Sequence, residues 1–299
     1  MFDLETMRMK VFLPLLLAAF YLQRLQAQDP VFSQFYAAPL QLNPAFAGSG
    51  SDPRMGTVYR HQWPGLNQAY RTYHVYYEQP LAHLNSGVGI QIEGDDAGNG
   101  LLKGTRVSAL YAYNLPLGKE FMIKFGVEAG MRQSTINWSR LVFPDQLDPV
   151  LGNAFQSGEL PPDRTSRTAF DASAGMLLLG KRVWFGTALK HLNTPNESFL
   201  MINSNLNSGL PVRYTVHAGA EIVVKESNKG KSDAFVTPNV LFTSQGPFQQ
   251  LNAGVYGSLG PVFSGVWYRH TIGNADAIIL GAGVREGIFR LGFSYDLTL

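Results

Sequence analysis

From Met55 to its end the chain is a succession of segments of about ten residues in which apolar side chains alternate with polar or small ones. A period of two belongs to the β-strand, whose successive side chains point to opposite faces. In Phe121 to Met131, residues Phe121, Ile123, Phe125, Val127, Ala129 and Met131 share one face, and Met122, Lys124, Gly126, Glu128 and Gly130 share the other. Val212, Tyr214, Val216, Ala218, Ala220, Ile222 and Val224 alternate in the same way with Arg213, Thr215, His217, Gly219 and Glu221, and the pattern returns at Phe289, Leu291, Phe293, Tyr295 and Leu297. Globular strands usually run about 5 or 6 residues. Runs about twice as long, with one apolar and one wet face, suit tilted strands that cross a membrane.

About thirteen such segments can be counted. Single-chain bacterial barrels have an even number of strands, so the expected fold is all-β: a transmembrane antiparallel β-barrel of about 14 strands. The connections separate by length. Gly118-Lys119, Gly180-Lys181, Gly260-Pro261 and Glu286-Gly287 read as tight turns, whereas Trp138 to Thr165 and Leu192 to Pro211 are long. Short turns on one rim and long loops on the other are the asymmetry of an outer-membrane protein. A secreted β-sandwich or a propeller would also alternate, but no repeat period supports a propeller. Tyr59, Trp63, Tyr70, Tyr111, Tyr113, Trp138 and Tyr268 near strand ends read either as interface girdles or as core.

Residues 1–27 read as a signal peptide, with Arg8 and Lys10 ahead of the apolar run Val11 to Leu22 and Leu25-Gln26-Ala27 as the cleavage site. A start at Met1, Met7 or Met9 leaves the same mature chain from Gln28. The apolar run falls short of the ~20 residues a spanning helix needs. The expected organisation is therefore 1–27 signal peptide, 28–54 N-terminal non-strand segment and 55–299 outer-membrane barrel.

Charged residues are 15% of the chain, and Lys+Arg number 24 against 22 Asp+Glu. This even balance gives no basic stripe for neutralising phosphates, so a nucleic-acid partner is not expected. The absence of Cys excludes thiolate ligands, disulfides and Cys nucleophiles. There is no His-Glu-x-x-His, Gly-x-Ser-x-Gly or Walker loop. His61, His74 and His83 read as lumen or rim residues rather than metal ligands. Asp95, Asp96, Asp145, Asp148 and Asp163 read as solvated loop carboxylates without EF-hand spacing. No catalytic residue, cofactor or metal is expected.

Residues Gln28 to Gly48 follow neither period. Pro30, Pro39 and Pro44 interrupt the backbone, while Phe32, Phe35, Tyr36, Leu40, Leu42 and Phe46 demand burial. Such a segment ahead of the first strand can fold into a barrel lumen as a plug, or lie at its periplasmic mouth against a partner.

Asp29-Pro30, Phe32-Ser33-Gln34-Phe35 and Leu42-Asn43-Pro44-Ala45-Phe46-Ala47-Gly48 resemble the opening signature of the PorP/SprF family, outer-membrane proteins of the type IX secretion system and gliding machinery of Bacteroidota. Tyr59-Arg60-His61-Gln62-Trp63-x-Gly65, Gln79-Pro80-Leu81, Gly87-Val88-Gly89-Ile90 and Phe293-Ser294-Tyr295-Asp296 resemble it in the same order. Two departures stand out. Ala38 stands before Pro39 where the family usually has Asn, and the family usually adds one more hairpin arm after the Tyr-Asp strand.

The resemblance implies a non-enzymatic protein that receives the C-terminal domain of a secreted surface protein, such as a gliding adhesin, and holds it at the outer membrane. Periplasmic and outer-membrane components of the same machinery and the lipid bilayer are the further implied partners. The long loops would grip the cargo. Phe32, Gln34, Phe35, Asn43, Pro44 and Phe46 would form the plug or partner contact. Arg60, Gln62 and Trp63 would brace it, unless Trp63 only anchors its strand end. Inward residues Arg71, Lys124, Glu128, Arg132, Arg213 and Glu221 mix both signs and show no simple ion selectivity. The alternative function is an outer-membrane solute channel or hydrophobic-substrate transporter; an outer-membrane hydrolase would need a convergent Ser, His and Asp, to which nothing points.

Overall fold

The computed structural model describes residues 29–299 except 66–68, 149, 154, 200–208, 227–231 and 273, so the expected signal peptide lies outside the described residues. The strands are β1 Arg54–Gln62, β2 Tyr70–Leu81, β3 Ser86–Ala97, β4 Leu102–Leu117, β5 Phe121–Ile136, β6 Leu147–Asp148, β7 Gly152–Asn153, β8 Ser166–Gly180, β9 Val183–Lys190, β10 Arg213–Ala220, β11 Ile222–Glu226, β12 Ser232–Gln245, β13 Phe248–Leu259, β14 Val262–Thr271, β15 Asn274–Glu286 and β16 Phe289–Thr298. All but β6 and β7, which form a small hairpin of their own, join one 14-stranded antiparallel sheet in chain order. β10 and β11 share a single place against β12, interrupted at Glu221.

The sheet is inside-out by the standards of a soluble protein. Thr72, His74 and Glu78 of β2, Gln91 and Glu93 of β3, Arg106 and Ser108 of β4 and Lys124 and Glu128 of β5 are buried, while Tyr73, Ile90, Val107, Phe125, Val127 and Met131 of the same strands are exposed. Exposed apolar side chains recur on almost every strand round to Leu280 and Phe293. An apolar surface this extensive is stable against lipid, not water. Tyr59, Trp63, Tyr70, Tyr111, Tyr113 and Tyr268 are all exposed rather than part of a core. Arg71 is also exposed, one residue out of phase with the inward Thr72, and so is not the interior cation its charge suggested.

The expected closed β-barrel does not form. Among the described residues β1 pairs only with β2, and β16 only with β15. Parity removes one way of closing the sheet. The path from β1 to β16 has thirteen places, so its first and last strands run in the same direction, and the antiparallel ladder used everywhere else cannot join them. The sheet nevertheless wraps far enough for its edges to meet through side chains, Arg60 of β1 lying 3.6 Å from Asp296 of β16.

One rim carries the tight connections after β4, β8, β13 and β15, and the other carries the long loops 137–165 and 191–212. The N-terminal segment enters β1 from the short-turn rim.

Candidate functional site

The segment from Asp29 to Gly50 occupies the interior of the wrapped sheet. Its three prolines set its local form. It folds as a 3₁₀ turn Phe35–Ala37, one helical turn α1 Pro39–Leu42 and a second 3₁₀ turn Pro44–Phe46, with proline at the start of the last two, where the missing N–H costs nothing. Ala38 before Pro39 offers no side-chain cap, whereas Asn43 before Pro44 does: its Oδ1 accepts from Ala45 N at 2.9 Å.

Asn43 is also the segment's main polar anchor. Fully buried, its Nδ2 donates to the carbonyls of Met176 on β8 and Thr187 on β9, at 3.0 and 3.1 Å, and lies 3.2 Å from His217 Nε2. The wall opposite this turn is floored with glycine. A Cβ at Gly175 would lie 2.1 Å from Asn43 Oδ1 and one at Gly126 2.2 Å from Ala45 N, so only glycine lets the two backbones approach this closely. Lys124 Nζ donates to Ala47 O at 3.0 Å, and Phe46 stacks on His217 with centroids 5.4 Å apart.

The apolar residues of the segment divide between the two halves of the sheet. Phe35 and Leu42 pack into a cluster with Leu241, Trp267 and Ile279, and Tyr36 stacks on Tyr256 and Trp267. Leu40 and Ala47 pack instead against Leu110 and Ala112. Phe32 is buried beside His74 at 6.0 Å. Arg290 reaches over Tyr36, Tyr256 and, at 4.3 Å, Phe263. Gln34 is half-buried and caps the first turn through its backbone carbonyl, bonded to Ala37 N at 2.9 Å.

Of the three residues expected to brace the segment, Arg60 reaches it, donating to Val31 O, and Ser33 Oγ donates to Asp296 Oδ2 at 2.8 Å. The segment thereby ties together the two strands that do not pair. Gln62 closes β1 opposite Tyr70. Trp63 packs edge-on against Tyr70 at 5.5 Å, away from the segment, with a left-handed φ of 55° where β1 turns over.

The segment threads the interior from rim to rim. Ser49 lies near Glu78 toward the short-turn rim, and Asp29 lies among the strand ends of the long-loop rim. Asp29 was not among the residues expected to matter, yet it has the densest ionic surroundings. Its carboxylate lies 2.5 Å from His191 Nε2, 2.9 Å from Arg132 Nη1 and 3.6 Å from Arg213 Nη1, and its backbone N–H donates to Gln245 Oε1 at 3.0 Å. His191 Nδ1 in turn faces Asp171 at 2.9 Å. Burial disfavours the charged carboxylate, but His191, Arg132 and Arg213 outweigh it and hold the Asp29 carboxyl well below the usual range. Burial likewise opposes charge on His191, but Asp29 and Asp171 prevail and raise it above the ordinary histidine value. Beyond this pair, Arg106 bridges Glu93, Glu128 and Asp171, and Lys190 lies 3.5 Å from Glu128. Alternation alone could place Arg132 and Arg213 on the inner face; the pairing of Asp29 with a histidine 162 positions away had no signal in the sequence.

Among the described residues no group of His, Asp and Glu is arranged to hold a metal ion. What the arrangement can do is mechanical: a charged and glycine-floored interior holds a segment of the chain's own backbone, and the outer face meets lipid. No curated protein matches the chain. A family model described as "Type IX secretion system membrane protein PorP/SprF" matches residues 24–299, and the chain belongs to that family of type IX secretion system membrane proteins.

Proposed function

We propose that the long-loop rim of this outer-membrane protein grips the C-terminal domain of a secreted surface protein while the docked N-terminal segment keeps the interior closed. Family membership makes the chain a non-enzymatic component of the type IX system that binds its cargo through that C-terminal domain; the division of labour between rim and segment goes beyond that membership.

The observation that carries it is the loop 137–165. Asp145 accepts from Ser157 Oγ at 2.9 Å and Gly158 N at 2.7 Å, and Asp148 accepts from Val150 N and Leu151 N at 2.7 and 2.9 Å. These bonds hold both carboxyls below their ordinary range and fix the small β6–β7 hairpin. The loop presents apolar side chains outward, Val150 being 89% and Leu160 83% exposed, and Leu147, Leu151 and Phe155 are exposed as well. A loop ordered from within and apolar at its tip has already lost much of the entropy that binding would otherwise cost. Export by a signal peptide cleaved before Gln28 completes the reading, and N-terminal sequencing of the membrane form tests it.

The experiment is a mild-detergent pull-down of the epitope-tagged protein from native outer membranes, with mass spectrometry of what co-purifies. One very large secreted protein supports the reading and names the cargo. The tagged protein alone, from membranes with active secretion, sinks it.

A further inference from the structure

We propose that Asp29 is a latch through which the loop following β9 controls whether the tip of the N-terminal segment stays docked.

The three cations within 4 Å of the buried Asp29 carboxylate belong to this loop or are tied to it, while Arg106 of β4 acts on it from farther off. His191 is its first residue after β9. Arg213 is the first residue of β10, where the loop returns to the sheet. Arg132 stands on β5, but its guanidinium is shared between Asp29 and Glu197, a loop residue with which it forms a close ion pair. The same loop root is fastened to the sheet by contacts that never touch the segment. Asn193 Nδ2 donates to Phe170 O at 2.7 Å, Asn193 Oδ1 accepts from Ala172 N at 3.0 Å, Leu192 N donates to Ala172 O at 2.9 Å and Arg167 Nε donates to Asn196 O at 2.6 Å.

The physical consequence follows from the cost of an unpaired buried charge. Raising the loop root moves His191 off Asp29 and draws Glu197, with Arg132, away from it. A carboxylate left in a dry interior with its partners withdrawn is strongly unfavourable. The tip relieves this by leaving its seat. Asn43 and its glycine floor lie deeper and are untouched by the loop, so the release is local to residues 29–38. The link also runs in reverse, since coupling between two sites is reciprocal: a docked tip holds the loop root down. Where the loop serves as the cargo grip, a consequence that rests on the function proposed above, cargo capture would unlatch the tip.

The test needs no cargo. The full-length protein in lipid nanodiscs is followed by amide hydrogen exchange at the segment tip, Phe32 to Ala38, and at the loop root. Asn193→Ala and Arg167→Gln each loosen the loop root at contacts that touch neither the segment nor a cation paired with Asp29. Both are expected to raise exchange at the tip by at least about tenfold, and the Asn193→Ala effect is expected to vanish in an Asp29→Asn background, because the latch is then already gone. Tip exchange unchanged in both loop variants overturns the proposal. So does an Asn193→Ala effect that persists undiminished beside Asp29→Asn. Should Asp29→Asn fail to fold, the two loop variants alone decide. An empty cargo pull-down would leave this coupling standing, and its absence would leave cargo capture standing.

Discussion

Asn43→Ala tests what keeps the interior closed. The side chain is fully buried and makes two hydrogen bonds across to strand carbonyls, of Met176 and Thr187, and one cap within its own turn, to Ala45 N. A typical intramolecular hydrogen bond contributes a net ~1 kcal/mol. The two crossing bonds act only when the segment is docked, and the cap adds to docking to the extent that the undocked turn frays. The loss is therefore about 2 to 3 kcal/mol, or roughly a 30- to 140-fold rise in the undocked population. Amide exchange at Phe46 and Ala47, whose N–H groups bond to Asn43 O and Pro44 O at 3.1 Å, reads that population directly. A change under about threefold at these amides, or an equal acceleration throughout the strands, would refute the view that Asn43 is the anchor.

Gly175→Ala drives a Cβ to 2.1 Å from Asn43 Oδ1 and should cost ~1–3 kcal/mol of segment docking by overpacking, seen as faster exchange in the segment with strand amides unchanged. The Asp29–His191 latch should have a pH window. Asp29 has a lowered pKa, so its contribution is present above the ordinary carboxyl range and is lost as pH falls through its folded value. His191 has a raised pKa, so its contribution is complete below the ordinary histidine value and is lost as pH rises through its folded value. Tip protection, meaning exchange corrected for the intrinsic pH dependence of amide exchange, should be greatest at mildly acidic pH and fall on both sides; a flat protection profile would show that the pair does not govern the tip. Leu160→Asp or Val150→Asp alters exposed loop tips, should leave stability within about 0.5 kcal/mol, and should cut cargo recovery in the pull-down; undiminished recovery would move the grip elsewhere. In planar bilayers the intact protein should lack large steady openings, which should appear when residues 29–48 are deleted.

The strands were legible in the sequence because their period of two over ten or more residues is a local property of each segment. The tight turns after β4, β8, β13 and β15 and the long loops on the opposite rim were legible for the same reason, as were the inward Lys124, Glu128, Arg132 and Arg213. Arg71 is the exception: its charge suits the wet interior, but the phase of the buried Thr72 and His74 turns it outward. The family could be recognised from the opening motif, because Asn43, Pro44 and the residues around them are constrained by a seat too narrow for much else.

Closure was decided only by the tertiary structure. An alternation pattern fixes which face of a strand meets lipid, but says nothing about whether the first and last strands can pair; the thirteen places between β1 and β16 leave them parallel, joined by Arg60, Asp296 and Ser33 rather than by backbone. The position of the N-terminal segment was likewise open, because its prolines and aromatic rings required burial without saying where. The meeting of Asp29 with His191, Arg132 and Arg213 lay furthest from view. Ionic contacts between distant residues have no period and no motif, and exist only once the wrapped sheet brings three separate stretches of chain to one buried carboxylate.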